Sequence, residues 1–512
     1  MLSSVESAPG LAAHGTGDGV DDPDPTGAGD ASTPTEPAES AGERARGATL
    51  SQIIGILLAL VGLRIGLHSL HDNSFFTHLA TGRMILHDHA IPRTDPYSFT
   101  APGRAWTVQS WGASVIYASI DKVFGLVGIR VVVGVICAAL AALAWRLTSP
   151  AKGLIGRLAI VVPVLCVGAG FWVERPLIFS LLFLMAVLFA LEDRLDPRWL
   201  VPIMWVWVNV HGSFPIAIMA IVAFGFGRLL DRERPTTELR VLGWAGLGTL
   251  LGGILSPLGW RLLVFPVQLL QRRDAFSHIA EWQSPTWSSW AEKAFAIQVI
   301  LALVLIVWRG RRWRNAVPVV LFAALSVQSS RNIVHASLIM IPAMAAAAHG
   351  LGVLDGLEPR RILRPVRVAL LALMALVLAV GILQTPNLNL VDYPVQSAKW
   401  MRGNGLLDRS DRVVTRDFVG NYLEVEYGPE KVHVFIDDRV DMYPDAVITD
   451  YAALLDHGAD YQAVLDRADA SAVLWDTDSD FGDWLEDPAH GWKIVHRETG
   501  WMVAVPVGAS SP

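Results

Sequence analysis

The sequence predicts an α-helical polytopic membrane protein of about eleven transmembrane helices, followed by a small C-terminal α/β domain. Three observations carry this. Of 512 residues 52% are hydrophobic and only 17% charged, whereas soluble globular chains are about 25% charged. Apolar runs long enough to span a bilayer, bounded by charge or by Pro and Gly, recur through residues 49–385. After residue 385 the pattern changes to short alternating strand-like and helix-like segments. Soluble classes are excluded.

The first 48 residues, rich in Gly, Pro, Ser, Thr and Asp, hold 9 acidic against 2 basic residues. They lack the apolar surface that would offset ordering entropy, and are read as a disordered acidic tail. No basic segment with a short apolar core opens the chain, so the first apolar run reads as a retained anchor and not a cleaved signal. Residues 49–385 hold 29 basic against 16 acidic residues, and 386–512 hold 10 against 23. A cationic apolar middle suits membrane lipid or phosphate and argues against nucleic acid as a partner. The only cysteines, Cys137 and Cys166, sit in apolar runs and build neither a disulfide framework nor a zinc site.

Spans are expected near 50–70, 124–145, 158–173, 176–192, 195–211, 213–230, 238–256, 290–308, 315–330, 333–351 and 365–385. With the tail inside, inner connections carry 19 Lys and Arg residues and outer ones 10, the bias of a plasma-membrane protein with a cytoplasmic N-terminus. The odd count puts residues 386–512 outside, beside a long first outer loop, 71–123. Residues 106–120, with Trp106, Trp111 and Tyr117, read as an amphipathic helix at the interface. Gly62 with Gly66, and Gly248 with Gly252, read as faces where helices approach closely.

Polar residues gather on the outer side: His71, Asp72 and His78 after the first span, then Glu174-Arg175-Pro176, then Asn209 and His211-Gly212. Further along come Ser256-Pro257, Glu281-Trp282 and Arg331-Asn332. The inner loops are plain arginine clusters. The asymmetry predicts a polar cavity opening outward, although any one such residue can be an ordinary polar turn, and Glu-Arg neighbours commonly form a local ion pair.

Several segments resemble the GT-C class of integral-membrane glycosyltransferases, which includes oligosaccharyltransferases and protein O-mannosyltransferases, and more closely a group of bacterial polytopic proteins related to it. They are the acid, aromatic pair and His-Leu-Ala-Thr-Gly within 72–82, Pro-x-x-Asp-Pro-Tyr-Ser-Phe-Thr at 92–100, and Arg-Pro at 175–176. The others are Asn-x-His-Gly at 209–212, Glu-Trp-x-Ser-Pro at 281–285 and Asp-Asp-Arg-x-x-Met-Tyr at 437–443. The resemblance covers nearly all of the chain after residue 49. It implies a GT-C-like fold and transfer of a sugar from a polyprenyl-phosphate carrier to a glycan or protein acceptor on the outer face. Asp72 would be the general base or a ligand of a divalent cation, Mg or Mn. Arg331 or Arg175 would pair with the carrier phosphate, a guanidinium forking onto two oxygens. His78, Glu174, Asn209, His211, Glu281 and Asn332 would line the sugar or acceptor site.

One departure stands out. The usual first-loop pair of acids, often Asp-x-Asp, is reduced here to Asp72 followed by Asn73 and Ser74. Asp95 would supply a second carboxylate only if the loop folds back. His68, His71 and His78 offer another metal set, but their irregular spacing suits plain interfacial histidines better. The missing acid keeps open a non-enzymatic protein that binds or moves polyprenyl-linked glycans. A solute transporter would show repeated halves, and no internal repeat is visible.

In the C-terminal region strands are expected at Arg412–Thr415, Val432–Asp437, Ala472–Trp475, Trp492–His496 and Met502–Val505, with helices near 394–403, 418–427, 445–456 and 459–468. Asp437, Asp438 and Arg439 follow a predicted strand, a common place for ligand residues, though a salt bridge or a helix cap would use the same residues. No Gly-rich phosphate loop is present.

Overall fold

The computed structural model describes residues 50–272, 283–309, 311–349, 364–458 and 460–508. The acidic tail and Glu281 lie outside these. In chain order the apolar part holds α1 (Leu50–Gly66), α2 (Asn73–Asp88), α3 (Trp111–Leu147), α4 (Leu154–Phe171), α5 (Leu177–Leu191), α6 (Leu200–Val210) and α7 (Phe214–Leu230). It continues with α8 (Thr236–Ile254), α9 (Arg261–Gln271), α10 (Trp290–Arg309), α11 (Trp313–Gln328), α12 (Ile333–Ala347) and α13 (Arg364–Gln384). Apart from α2 and α9, each of these helices overlies one of the eleven expected runs. Among the described residues four segments are long and apolar enough to cross a membrane by length and composition: Trp111–Ala151, Leu154–Phe171, Trp290–Arg309 and Pro365–Gln384. Others, such as α1, α5 and α7, are apolar but shorter.

Both glycine pairs mark close helix contacts. A Cβ on Gly62 would lie 2.4 Å from the Cys137 carbonyl oxygen, and one on Gly66 2.7 Å from the Gly134 Cα, so α1 and α3 touch backbone to backbone. Gly248 plays the same part between α8 and α6, where its Cβ would lie 2.5 Å from the Val201 carbonyl oxygen.

The expected interfacial helix at 106–120 is different in the structure. Residues 106–110 are irregular, and α3 begins at Trp111 and runs on into the apolar run, broken only at Gly125, whose φ is 62°. A left-handed residue interrupts the helix there, and glycine bears it without Cβ strain. Tyr117 is fully buried and donates its hydroxyl to the Glu174 carbonyl at 2.8 Å. The aromatic ring that suggested an interface instead fills space beside α2.

Arg130, fully buried in α3, ties three elements together. It donates to the carbonyls of Leu67, His68, Gly381 and Thr385 at 2.7–3.1 Å and to Asn387 Oδ1 at 3.1 Å. The last carbonyls of α1 and α13 lack intrahelical partners, and one five-donor guanidinium serves both ends.

The C-terminal region holds α14 (Val395–Gly403), β1 (Val413–Thr415), α15 (Asp417–Tyr427), α16 (Asp445–Leu455), α17 (Tyr461–Ala468), β2 (Ala472–Asp476), α18 (Asp480–Glu486), β3 (Trp492–Glu498) and β4 (Trp501–Pro506). The sheet order is β1-β2-β4-β3, parallel between β1 and β2 and antiparallel elsewhere. The expected strand at Val432–Asp437 does not join this sheet. Val434 instead donates to the Tyr97 carbonyl at 2.9 Å and accepts from Phe99 at 3.1 Å, so this run pairs with the first loop. Leu70 exchanges backbone hydrogen bonds with Asn387 and Asn389, both at 2.9 Å, and Phe76 of α2 packs edge-on against Tyr393 and Tyr422. These contacts make the α/β region and the helices after Ala48 one compact unit.

Candidate functional site

Asp72 opens α2 as its N-cap. Its side chain accepts from the Ser74 N–H at 3.0 Å and the Ser74 hydroxyl at 2.7 Å, the local bonding that favours Asp before a helix. Its other oxygen pairs with Arg175. That arginine comes from the tight connection between α4 and α5, where Pro176 caps α5. Burial pushes the Asp72 carboxyl above its ordinary value, the Arg175 guanidinium opposes this, and the nearby Glu174 charge adds to it.

Glu174 points the other way. It is fully buried and accepts from the Asp72 N–H at 2.8 Å, from the His71 N–H, and from His68 Nε2 at 2.8 Å. Burial alone would raise its carboxyl, but the His68 hydrogen bond and charge and the backbone donor outweigh that and hold it low. Glu174 therefore fixes the α1–α2 connection.

A cavity of about 330 Å³ lies between the helical part and the C-terminal region. Its walls bring together Arg175, Arg331, Arg439, His78, His211, Asp417, Asp438 and Asp441. Trp106, Gln109 and Ser110 of the first loop and Phe265 and Leu269 of α9 close it. His78 shares a 3.0 Å hydrogen bond with Ser114 Oγ, and burial lowers its imidazole to about 4, so it is neutral at physiological pH. Burial, with the Asp437 charge added, pushes Asp438 up to about 8, and burial pushes Asp441 up to about 7. The Asp438 N–H donates to Asn421 Oδ1 at 3.1 Å, and the Thr77 hydroxyl donates to the same oxygen at 2.9 Å. A single amide thus ties α2 to the aspartate's backbone.

Arg439 reaches the cavity but is clamped. It is paired with Asp437 (2.5 Å) and Asp95 (2.8 Å), with Glu424 3.7 Å away, between the rings of Tyr97 and Trp106. Asp437 is fully buried in that cluster. Asp95, the possible second acid of the loop, accordingly meets Arg439 and not Asp72.

Other expected site residues are structural. Asn209 accepts from Trp111 Nε1 at 3.0 Å and donates to the Trp205 carbonyl at 2.8 Å, and Asn332 donates to the Leu325 carbonyl at 2.9 Å. Neither lines the cavity. Asp417 and Asp441 carried no recognisable signal: each is one acid among many in an acidic region, and only folding turns them toward the arginines.

The divalent cation implied by the GT-C resemblance finds no fitting set at Asp72, whose oxygens meet a guanidinium and serine donors. Among the described residues the group with metal-ligand spacing is His68, His71 and Glu174, with ligand atoms within 4.8 Å of one another. Its nitrogen-rich donors differ from the all-oxygen surroundings that Mg prefers.

No family model matches the chain, and no curated protein sequence does. Solved structures do. The *Archaeoglobus fulgidus* oligosaccharyltransferase tethered with an acceptor peptide containing the NVT sequon has a TM-score of 0.51 at 11% identity, over 84% of this chain and 69% of that one. The same organism's oligosaccharyltransferase AglB, in complex with an inhibitory peptide and a dolichol-phosphate, has a TM-score of 0.52 at 12% identity, over 90% and 74%. An apo form of the Archaeoglobus fulgidus oligosaccharyltransferase has a TM-score of 0.51 at 12% identity over 90% and 74%. The chain therefore has the fold of these oligosaccharyltransferases along most of its length.

Proposed function

We propose that this protein is a multi-pass membrane glycosyltransferase that moves a sugar from a polyprenyl-phosphate-linked donor to an acceptor at the cavity beside the C-terminal region. The observation that carries the reading is the gathering of Arg175 and Arg331 with Asp438 and Asp441 around one cavity in a GT-C fold. The acceptor hydroxyl or amide attacks the anomeric carbon, the bond from that carbon to the phosphate oxygen breaks, and the carrier phosphate leaves. Arg175 and Arg331 hold the phosphate. Asp72 sits behind Arg175 and is not itself on the cavity wall; phosphate bound to Arg175 competes for the guanidinium, frees the carboxylate and lets it take the acceptor proton. The eleven-run helical part spans the membrane with the C-terminal region outside, in agreement with the arginine-rich opposite loops.

A second reading, a protein that binds polyprenyl-linked glycans without chemistry, is favoured by one fact: in the free chain both Asp72 oxygens are engaged. Lipid-linked glycan profiling separates the two. Cells carrying Asp72→Asn at unchanged protein abundance are expected to accumulate the lipid-linked donor and lose the modified acceptor. Modification retained at the wild-type level refutes the catalytic assignment. A cysteine placed in the C-terminal region is expected to react with an impermeant thiol reagent in intact cells, and protection there inverts the orientation.

A further inference from the structure

At the far ends of α1, α4 and α5 from Asp72 and Arg175, a second cavity of about 1300 Å³ opens. One 17-residue helix, about 25 Å long, separates the two ends. Arg146, Arg157, Arg194 and Arg367 line it, and among the described residues no carboxylate does. Most of the remaining wall is apolar, including Ile56, Leu143, Phe189, Leu371 and Met374. Arg157, 9% exposed, is held open toward the cleft by neutral acceptors alone: Ser51 Oγ at 2.9 Å, Thr148 Oγ1 at 3.1 Å and the Trp145 carbonyl at 2.7 Å, with its guanidinium 3.6 Å above the Trp145 ring. Arg194 donates to the Arg146 carbonyl at 2.8 Å, which brings a second cationic side chain to the same corner.

Four guanidiniums with no carboxylate among the described lining residues make a positive mouth, and the apolar wall behind it suits acyl chains. An acidic peptide would satisfy the mouth and leave the apolar wall bare; a neutral lipid would do the reverse. We infer that this cleft binds one anionic phospholipid, its phosphate at Arg146, Arg157 and Arg194 and its chains along α1, α5 and α13. The site is independent of glycosyl transfer at the other end.

The test is native mass spectrometry of the full chain in detergent, titrated with dioleoylphosphatidylglycerol and, separately, dioleoylphosphatidylcholine. One phosphatidylglycerol is expected to be retained at least tenfold more tightly than phosphatidylcholine. Arg146 and Arg194 are exposed, so the pair Arg146→Gln with Arg194→Gln keeps the fold and is expected to weaken phosphatidylglycerol retention about 30-fold, from about a factor of five for each cation lost. The charge-matched pair Arg234→Gln with Arg311→Gln, outside the cleft, is expected to change nothing. Equal retention of the two lipids, or an equal loss in both variant pairs, overturns the inference. So does a preference that disappears when residues 1–48 are deleted, since the acidic tail and not the cleft would then govern it.

Discussion

Arg439 is the residue whose removal should do the most damage away from the chemistry, and the structure gives the size. Its side chain is 5% exposed. It meets Asp437 of its own segment through Nε at 2.8 Å and Nη2 at 2.5 Å, and Asp95 of the first loop at 2.8 Å, an ion pair outside ideal hydrogen-bond alignment. Tyr97 and Trp106, also from the first loop, stack on it at 4.7 and 4.5 Å. Burial and the Asp437 charge push Glu424 well above its ordinary value, and Arg439 is the counter-charge of two buried anions, Asp437 and Asp95. In Arg439→Gln those anions lose their counter-charge. Breaking a buried pair costs about 3–5 kcal/mol, which raises the population with the loop and C-terminal region parted by about two to four powers of ten. Limited proteolysis in the 385–394 connection reads this population when opening is fast relative to cleavage. Cleavage accelerated at least a hundredfold is expected, with Arg439→Lys little better because one ammonium does not reproduce the planar fork. Acceleration below tenfold would refute the claim that this guanidinium joins the two regions. The double-mutant cycle with Asp95→Asn should return a coupling above about 1 kcal/mol.

Asp438 carries a proton in the native state that its unfolded counterpart, near 3.8, has lost. Its contribution to stability therefore falls as pH rises from about 4 to about 8 and is flat above. The slope is at most about 1.4 kcal/mol per pH unit, so Asp438→Asn should flatten the Tm–pH profile in that window, and an unchanged profile sinks the assignment. Gly62→Val places a Cβ against the Cys137 carbonyl and should abolish the monodisperse peak in size-exclusion chromatography, while Gly243→Ala, with nothing within 4 Å, should leave it intact. Arg130→Met strips donors from four carbonyls and should lower Tm by more than any exposed arginine substitution; a fall no larger than that of Arg311→Gln would contradict its capping role.

Hydropathy made the helical part legible, because a run that must face lipid or a packed interior announces itself in composition alone. The glycine pairs were legible for a similar reason, since only a missing side chain permits a 2.4 Å approach to a carbonyl. The polar residues at the helix ends were visible as a set, and Arg175, Arg331, His78, His211 and Asp438 do share one cavity. Their individual partners were not visible. Glu174 and Arg175 are neighbours, yet one faces His68 and the other Asp72, because adjacent residues in a turn point apart and sequence carries no record of which side is which. Val432–Asp437 is a short apolar, strand-like run, and such a run cannot say whether its partner is a sheet or a loop more than 300 residues away.

What the chain determined by itself was where apolar helices form, where they stop and which ends carry charge, all consequences of local composition and of Pro, Gly and Asp at the boundaries. What only the tertiary structure decided was the pairing: Asp72 with Arg175, Asp95 with Arg439, Arg130 with two helix ends. Electrostatic partners are chosen by distance in space and by the loss of water, and neither exists until the helices have met.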